Sequence, residues 1–180
     1  MQVIAVTGKM ASGKNYICSQ MEKEGWSSVD ADLLVHKAIE DNKNLILQTF
    51  GKDASSMNLK IQNDDGSVNR RELGKLLFAK PDLLTKQESI VYPAITQMVK
   101  DFIQTHEKTI INATVLFKTP ELLNVCEYVL FVKAGLIKRI IRARKRDHLP
   151  YKQIFKRFYA QRNLLKDYKK TGTSIRIVRN

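Results

Sequence analysis

The chain has 180 residues and a mass of 20.7 kDa, which suits one domain that buries an apolar core without disulfides or a structural metal. It contains no run of about 18 apolar residues and no signal-peptide pattern, so we expect a cytoplasmic protein without a membrane span. The net charge of +13 is concentrated in residues 133–180, which hold 16 of the 31 basic residues and two of the 18 acids.

The first predicted element is a short apolar strand at residues 3–6, which leads through a glycine loop into a helix. Residues 8–15 read Gly-Lys-Met-Ala-Ser-Gly-Lys-Asn and match G-x-x-x-x-G-K, with Asn where Ser or Thr is usual. Glycines let the backbone bend around an anion, the helix offers its positive end, and Lys14 can neutralise β- and γ-phosphate oxygens. Such a turn can also simply join a strand to a helix, but the flanking elements favour a nucleotide phosphate site.

We predict that this loop binds ATP together with Mg²⁺. The residues expected to contact ATP are Gly8, Ala11, Ser12, Gly13, Lys14, Asn15 and Tyr16. The eighth position of the motif usually presents a hydroxyl to the metal. The side-chain oxygen of Asn15 can also coordinate this hard cation, although the amide is one atom longer and must turn its nitrogen away. Asn15 is therefore the predicted metal ligand.

A second strand is predicted at residues 26–29, directly before Asp30-Ala31-Asp32. Apolar residues at helical spacing predict helices at 33–50 and 71–102, and turn-forming residues predict a loop between them at 51–69. Taken alone, an Asp-x-Asp pair at a strand-to-helix junction is more typical of a helix N-cap than of a catalytic site.

Two more strands are predicted at residues 109–113 and 128–132, and the second is apolar on both faces, as buried parallel strands are. A basic helical hairpin follows, with one helix at 136–146 and another after Pro150, before a last strand at 174–178. Its positive charge is compatible with binding to nucleic acid, to an anionic membrane surface or to a polyphosphate ligand. It is equally compatible with helix faces that are simply exposed to solvent. Alternating strands and helices predict an α/β fold with three layers and a parallel central sheet.

The sequence resembles the dephospho-CoA kinases, P-loop kinases that use ATP to phosphorylate the ribose 3′-hydroxyl of dephospho-CoA in the last step of CoA biosynthesis. The resemblance begins with Asp30-Ala31-Asp32 behind the loop and extends over most of the chain. Further matches to the family's motifs follow in order: His36, Asp65-Gly66, Asn69-Arg70, Leu73, Phe78, Gln87-Glu88, Tyr92-Pro93, Arg142, Arg146 and Gln161. Their ordered succession carries the resemblance.

The resemblance implies a single P-loop kinase domain over residues 1–180, with dephospho-CoA as its small-molecule substrate. We divide this domain into a nucleotide-binding core at about 1–32, 105–135 and 171–180, a helical substrate-binding insertion at about 33–104, and a basic lid at about 136–165. Cys18 and Cys126 fit no zinc-ligand spacing, so we expect two reduced thiols in packed elements.

Phosphoryl transfer needs an oriented hydroxyl, a metal across the β and γ oxygens, and cations on the charge that develops. The resemblance assigns the general base to Asp32 and the support of the loop or of metal-bound water to Asp30. Arg142 and Arg146 are i, i+4 neighbours, so one helix face can present both to the phosphates of ATP when a lid closes. The predicted catalytic residues are Asp32, Lys14 and Arg142.

Substrate contacts are predicted in the Asp-x-Asp segment and in the helical insertion: Asp30, Asp32, His36, Arg70, Phe78, Tyr92 and Pro93. The role of Arg70 comes from the resemblance, and an exposed cation after a turn is an equally good interpretation of its sequence. Leu73, Phe78 and Ile95 are expected chiefly to pack the insertion.

Several positions differ from the family's pattern. Asn15 and Tyr16 replace small hydroxyl residues, and Tyr92 replaces His. Residues 112–118 read Asn-Ala-Thr-Val-Leu-Phe-Lys, where the family reads Asp-x-Pro-Leu-Leu-Phe-Glu. Asn112 and Lys118 thus stand where the family has acids. The loss of these two acids raises the local positive potential and predicts weaker retention of Mg²⁺.

Two alternatives stay open beside an active kinase. One is a weak or inactive family member that binds ATP or CoA. The other is a nucleic-acid-binding protein that uses the basic residues 136–170, which we consider the weaker alternative because the sequence shows no nucleic-acid motif or interleaved exposed aromatics. The sequence makes no prediction of the oligomeric state.

Overall fold

The computed structural model describes residues 1–180 as five β-strands, nine α-helices and one short 3-10 helix. The strands are β1 (Gln2–Gly8), β2 (Ser27–Asp30), β3 (Lys108–Asn112), β4 (Val129–Lys133) and β5 (Ile175–Arg179). The helices are α1 (Lys14–Glu22), α2 (Ala31–Asp41), α3 (Lys43–Ser56), α4 (Arg70–Ala79), α5 (Pro81–Gln104), α6 (Pro120–Asn124), α7 (Leu136–Asp147), α8 (Tyr151–Ala160) and α9 (Leu164–Lys169), with the 3-10 helix at Leu116–Lys118.

The five strands form one parallel sheet in the order β2-β3-β1-β4-β5. In the central strand β1, Val3 to Gly8 are buried, as expected for a parallel strand covered on both faces. The register places Val6 of β1 opposite Asn112 of β3, and Asn112 opposite Asp30 of β2. The predicted α/β fold with a parallel central sheet is confirmed, and the carboxyl ends of β1, β2 and β3 meet at one edge.

The chain folds into two compact units, residues 1–32 with 99–180, and residues 33–98. The first unit contains the sheet, and its core includes Ile4, Val6, Cys18 and Ile110. Burial raises the pKa of the Cys18 and Cys126 thiols to about 12, so both stay protonated at neutral pH. The division into core, insertion and lid stays a prediction.

The second unit is helical, but its helices differ from those predicted. The helix expected at 33–50 is two helices, α2 and α3, and α3 continues through Gly51 to Ser56, inside the predicted loop. Phe50 and Ala54 are buried one turn apart on α3, and this packing outweighs the helix penalty of about 1 kcal/mol for a glycine. The helix expected at 71–102 is likewise divided, because Pro81 starts α5 and the residue before a proline is driven out of the helical conformation.

Three apolar residues were expected to pack the helical insertion. Leu73 and Ile95 are 1% and 3% exposed, so this prediction is confirmed for them. For Phe78 it is wrong, because its side chain lies on the outer face of α4 and is 86% exposed. The buried face of α4 is formed instead by Leu73, Leu76 and Leu77.

The basic hairpin consists of α7 and α8, and its apolar contacts centre on Ala143, Ile154 and Phe158. Its outer surface exposes three aromatic side chains of α8 at helical spacing, Tyr151, Phe155 and Tyr159. The expectation that this region lacks exposed aromatics is therefore wrong. None of the helices combines the length and the apolar composition needed to cross a lipid bilayer.

Candidate active site

The loop between β1 and α1 has the backbone geometry of an anion cradle. A Cβ atom on Gly8 would lie 2.5 Å from the carbonyl oxygen of Val132 and 2.5 Å from Ser12 Oγ, so only glycine fits there. Gly13 adopts a φ of 98° and Ala11 a φ of 60°, both in the left-handed region. The amide of Ser12 closes a turn by donating to the Lys9 carbonyl oxygen at 3.0 Å.

The end of the loop combines the start of a helix with one buried, unpaired hydroxyl, and both suit a phosphate. Helix α1 begins at Lys14, and its N-cap residue Gly13 supplies no side-chain hydrogen bond to the first turn. The hydroxyl of Ser12 is buried and has no hydrogen-bond partner. Buried polar groups are normally paired, so a phosphate oxygen in the loop would satisfy this hydroxyl. The residues present therefore fit the phosphate chain of ATP.

Lys14 lies beside Asp32, the predicted general base. Its Nζ atom donates to Asp32 Oδ2 at 3.2 Å and to Thr114 Oγ1 at 2.5 Å. The Lys14 side chain is 14% exposed and that of Asp32 47% exposed, so the pair opens to solvent on the acid's side. Thr114 donates to Asp32 twice, from its hydroxyl at 2.8 Å and from its backbone N–H at 3.2 Å. The structure thus brings Lys14 and Asp32 together and adds Thr114 to them.

A second cluster joins three polar side chains at the ends of β2, β3 and the loop. The amide nitrogen of Asn112 donates to Asn15 Oδ1 at 3.0 Å and to Asp30 Oδ2 at 3.3 Å. Asn112 is 4% exposed, and its own Oδ1 is buried without a hydrogen-bond partner. The oxygen atoms of Asn15 and Asp30 therefore converge on the Asn112 amide nitrogen, which occupies the point between them. Mg²⁺ bound by these two oxygens would take the place of this amide, with water and phosphate oxygens as its other ligands. Asn15 and Asp30 are the residues that would hold it.

The environment of Asn112 predicts the effect of restoring an acid at this position. An Asn112→Asp substitution removes the donor shared by Asn15 and Asp30 and places a buried carboxylate beside Asp30. We expect the free energy of unfolding to fall by about 1–3 kcal/mol in the absence of metal. Mg²⁺ with ATP should restore more stability to this variant than to the parent protein, because the new carboxylate adds an anionic metal ligand.

Urea unfolding with and without Mg²⁺ and ATP measures both effects of Asn112→Asp. Asn124→Asp is the matched control, because Asn124 is exposed at the end of α6, and its effect should stay within about 0.5 kcal/mol. Equal stability of Asn112→Asp and the parent without metal would contradict the assigned role of the Asn112 amide.

The two arginines predicted to contact ATP lie in different environments. Arg142 reaches the loop, donating from Nη1 to the Ser12 carbonyl oxygen at 3.3 Å and from Nη2 to Asn180 Oδ1 at 3.4 Å. Arg146 instead pairs with the adjacent Asp147 through two hydrogen bonds of 2.7 and 3.1 Å. This contact raises the pKa of Arg146 and lowers that of Asp147. The structure brings Arg142, but not Arg146, to the loop.

The remaining predicted site residues lie on helices. Tyr16 is in the first turn of α1 and is 57% exposed. Five predicted substrate contacts belong to the helical unit: His36 on α2, Arg70 and Phe78 on α4, and Tyr92 and Pro93 on α5. All five except the half-buried Tyr92 are exposed. Their assignment as substrate contacts stays a prediction.

Two residues that hold the outer turn of the loop, Arg139 and Gln161, were given no site role from the sequence, and only Gln161 was noted, as a match to the family's motifs. Arg139 is 8% exposed, stacks on the Phe158 ring at 4.1 Å and donates from Nε to the Met10 carbonyl oxygen at 2.9 Å. Burial lowers the pKa of its guanidinium. Gln161 accepts the Met10 N–H at 2.5 Å, so both backbone groups of Met10 are held by the hairpin segment. The only sequence signal for Arg139 is its position one turn before the buried Ala143.

A cavity of about 470 Å³ opens next to the loop, at the carboxyl ends of β4 and β5. Its lining residues are Lys133, Ala134, Gly135, Lys138, Arg179 and Asn180. The Asn180 amide also donates to the Ser12 carbonyl oxygen at 3.1 Å, so the cavity adjoins the end of the loop. Neither this cavity nor the contact made by Asn180 was predicted from the sequence.

Comparison with known proteins places the whole chain in one family. The family model for dephospho-CoA kinase matches residues 2–179. A dephospho-CoA kinase of Treponema pallidum is 30% identical over 165 residues, covering 89% of this chain and 78% of the relative. That of Treponema denticola is 29% identical over 184 residues, covering 99% of this chain and 82% of the relative.

Solved structures agree with the fold. A Thermus thermophilus protein superposes with a TM-score of 0.79 at 22% identity, covering 99% of this chain and 88% of its own. The dephospho-CoA kinase of Campylobacter jejuni superposes with a TM-score of 0.70 at 19% identity, covering 100% of this chain and 89% of its own. With its glycine loop, its parallel sheet and a family model that matches nearly every residue, the chain belongs to the dephospho-CoA kinase family.

Proposed function

We propose that this chain is a cytoplasmic kinase that transfers the γ-phosphoryl group of ATP to the ribose 3′-hydroxyl of dephospho-CoA, giving CoA and ADP. The observation that carries the proposal is the contact between Lys14 and Asp32, at 3.2 Å. It unites a phosphate-binding cation with a carboxylate that can take a proton from an acceptor hydroxyl.

The nucleotide would bind along the loop with its phosphates on the backbone N–H groups at the start of α1. Lys14 would neutralise the terminal phosphates, and Arg142 would add a second cation from the hairpin. The cavity beside Asn180 adjoins the loop, and we assign the nucleoside part of ATP to it. Mg²⁺, when bound with ATP, would supply positive charge to the phosphates, and Asn15 and Asp30 are its candidate protein ligands.

Asp32 would hold the acceptor hydroxyl in line with the γ-phosphorus and receive its proton. The hydroxyl oxygen forms a bond to phosphorus as the bond from phosphorus to the β-γ bridging oxygen breaks, and ADP leaves with those electrons. Lys14 and Arg142 offset the negative charge that develops on the transferred group. The protein thus contributes positioning, proton acceptance and charge.

A coupled assay of ADP release tests the proposal, with the phosphorylated product identified by mass spectrometry. Dephospho-CoA, adenosine, AMP and cytidine are compared as acceptors, each with and without Mg²⁺. We expect release of ADP and formation of CoA only with dephospho-CoA and Mg²⁺. Tight ATP binding with no CoA after several hours would favour the inactive family member, and faster turnover of another acceptor would assign a different substrate.

A further inference from the structure

Thr114 uses two groups that the family's residue at this position does not have. The family pattern has a proline here, which carries neither a backbone N–H nor a hydroxyl. In this chain both groups are directed at one carboxylate, with Thr114 N donating to Asp32 Oδ1 at 3.2 Å and Thr114 Oγ1 donating to Asp32 Oδ2 at 2.8 Å. The replacement of proline is thus matched by a specific contact to the proposed base.

The backbone of Thr114 is anchored to buried groups. Its carbonyl oxygen accepts hydrogen bonds from Thr7 Oγ1 at 3.1 Å and from the Tyr168 hydroxyl at 3.2 Å, and both donors are fully buried. Burial raises the pKa of Tyr168 to about 12, so this hydroxyl stays a donor throughout the neutral range. Because its backbone is held by buried donors, Thr114 can fix the position of the half-exposed Asp32 side chain.

Lys14 alone would be a poor anchor for Asp32 during the reaction. Its Nζ atom contacts Thr114 Oγ1 and Asp32 Oδ2, but the same ammonium is needed by the phosphates when ATP binds. The Asp32 side chain is 47% exposed, so without other partners it could rotate into solvent. The two hydrogen bonds from Thr114 do not compete with ATP.

We propose that Thr114 is a positioning residue that holds the Asp32 carboxylate in place for catalysis while Lys14 engages the phosphates. This inference rests on the proposed kinase function. Because Thr114 acts through Asp32, we expect its substitution to lower turnover and to change nucleotide binding little. Misplacing a catalytic group by about 1 Å can cost roughly a hundredfold in rate.

The first experiment compares Thr114→Val, which keeps the shape and the N–H but loses the hydroxyl, with Thr114→Ser, which keeps both donors. We expect kcat to fall about ten- to a hundredfold in Thr114→Val, with the KM and Kd for ATP within about twofold, and Thr114→Ser to stay within about threefold of the parent. Thr105→Val is the matched control, because Thr105 is exposed at the end of α5 and bonds only nearby groups. A normal kcat in Thr114→Val, or a loss that appears only in the Kd for ATP, would overturn the proposal.

A double-substitution cycle shows whether Thr114 acts through Asp32. In an Asp32→Asn background, which already lacks the proposed base, Thr114→Val should lower the residual rate by less than about twofold. The same loss in both backgrounds would mean that Thr114 acts elsewhere, and the positioning role would be wrong.

Hydrogen exchange of the Thr114 amide, measured by NMR without nucleotide, tests the contact independently of activity. We expect exchange to speed up about tenfold or more in Asp32→Ala, because the carboxylate is the acceptor of this N–H. Unchanged exchange would show that the contact is absent and would overturn the inference. If exchange of the Thr114 amide is faster in Asp32→Ala but the parent protein makes no CoA, the contact between Thr114 and Asp32 is present and only the kinase function is contradicted.

Discussion

Replacement of Lys14 by alanine is expected to lower the formation of CoA by about a hundred- to a thousandfold. The substitution removes the cation that the loop directs at the phosphates and also breaks the 3.2 Å pair with Asp32. Binding of ATP should weaken as well, since charge-assisted hydrogen bonds to phosphate are among the stronger polar contacts. Product formation from dephospho-CoA and the Kd for ATP measure the two effects.

The matched control is Lys23→Ala, at the far end of the same helix. Lys23 caps the carboxyl end of α1 and is exposed, so its removal should leave the rate within about twofold. A near-normal rate for Lys14→Ala would remove Lys14 from the site. An equal loss in both variants would point to damage of α1 rather than to a missing phosphate contact.

The phosphate loop could be predicted from the sequence because its requirements are local. A close approach to the Val132 carbonyl oxygen excludes any side chain at Gly8, and the helix that follows must start immediately after the turn. Because of these local constraints, the sequence carries glycines at a fixed spacing, and this pattern can be recognised without the structure. The parallel sheet was also predictable, since strands buried on both faces have continuous apolar runs.

The carboxylate network could not be predicted, because it depends on the order of the strands. Thr114 and Asp32 are 82 positions apart and meet because β2 and β3 are neighbours in the sheet. Asn112 reaches Asp30 and Asn15 for the same reason. In the sequence, Asn15, Asn112 and Thr114 are three separate departures from the family's pattern. In the structure each of them contacts another departure or one of the two acids.

The errors in the helical unit and the hairpin have a similar origin. Gly51 and Phe78 were interpreted from local preference, whereas packing of neighbouring residues decides that α3 continues and that Phe78 faces outward. Arg139 lies in the helix predicted at 136–146 as part of a basic hairpin, and contacts to Phe158 and to the loop bury it. Periodicity alone does not distinguish a solvated arginine from one that braces a loop.

Asp32→Asn is expected to lower kcat by about a hundred- to ten-thousandfold, which is the usual contribution of a general base. Asparagine keeps the volume of the side chain and an oxygen that can accept from the Thr114 N–H, so the fold should be retained. It cannot take the proton of the acceptor hydroxyl. Lys14 also loses its anionic partner, so ATP should bind at least as tightly as to the parent protein.

Asp41→Asn provides the control on the same helix. Asp32 lies in the first turn of α2, whereas Asp41 is its exposed last residue, and the second substitution should leave kcat within about twofold. Steady-state rates with dephospho-CoA, together with titration of ATP, separate lost chemistry from lost binding. A normal kcat in Asp32→Asn would assign the base elsewhere, and a loss confined to ATP affinity would make Asp32 a support for Lys14. A large fall in kcat with intact ATP binding is the outcome expected if Lys14 holds the phosphates and Asp32 takes the proton.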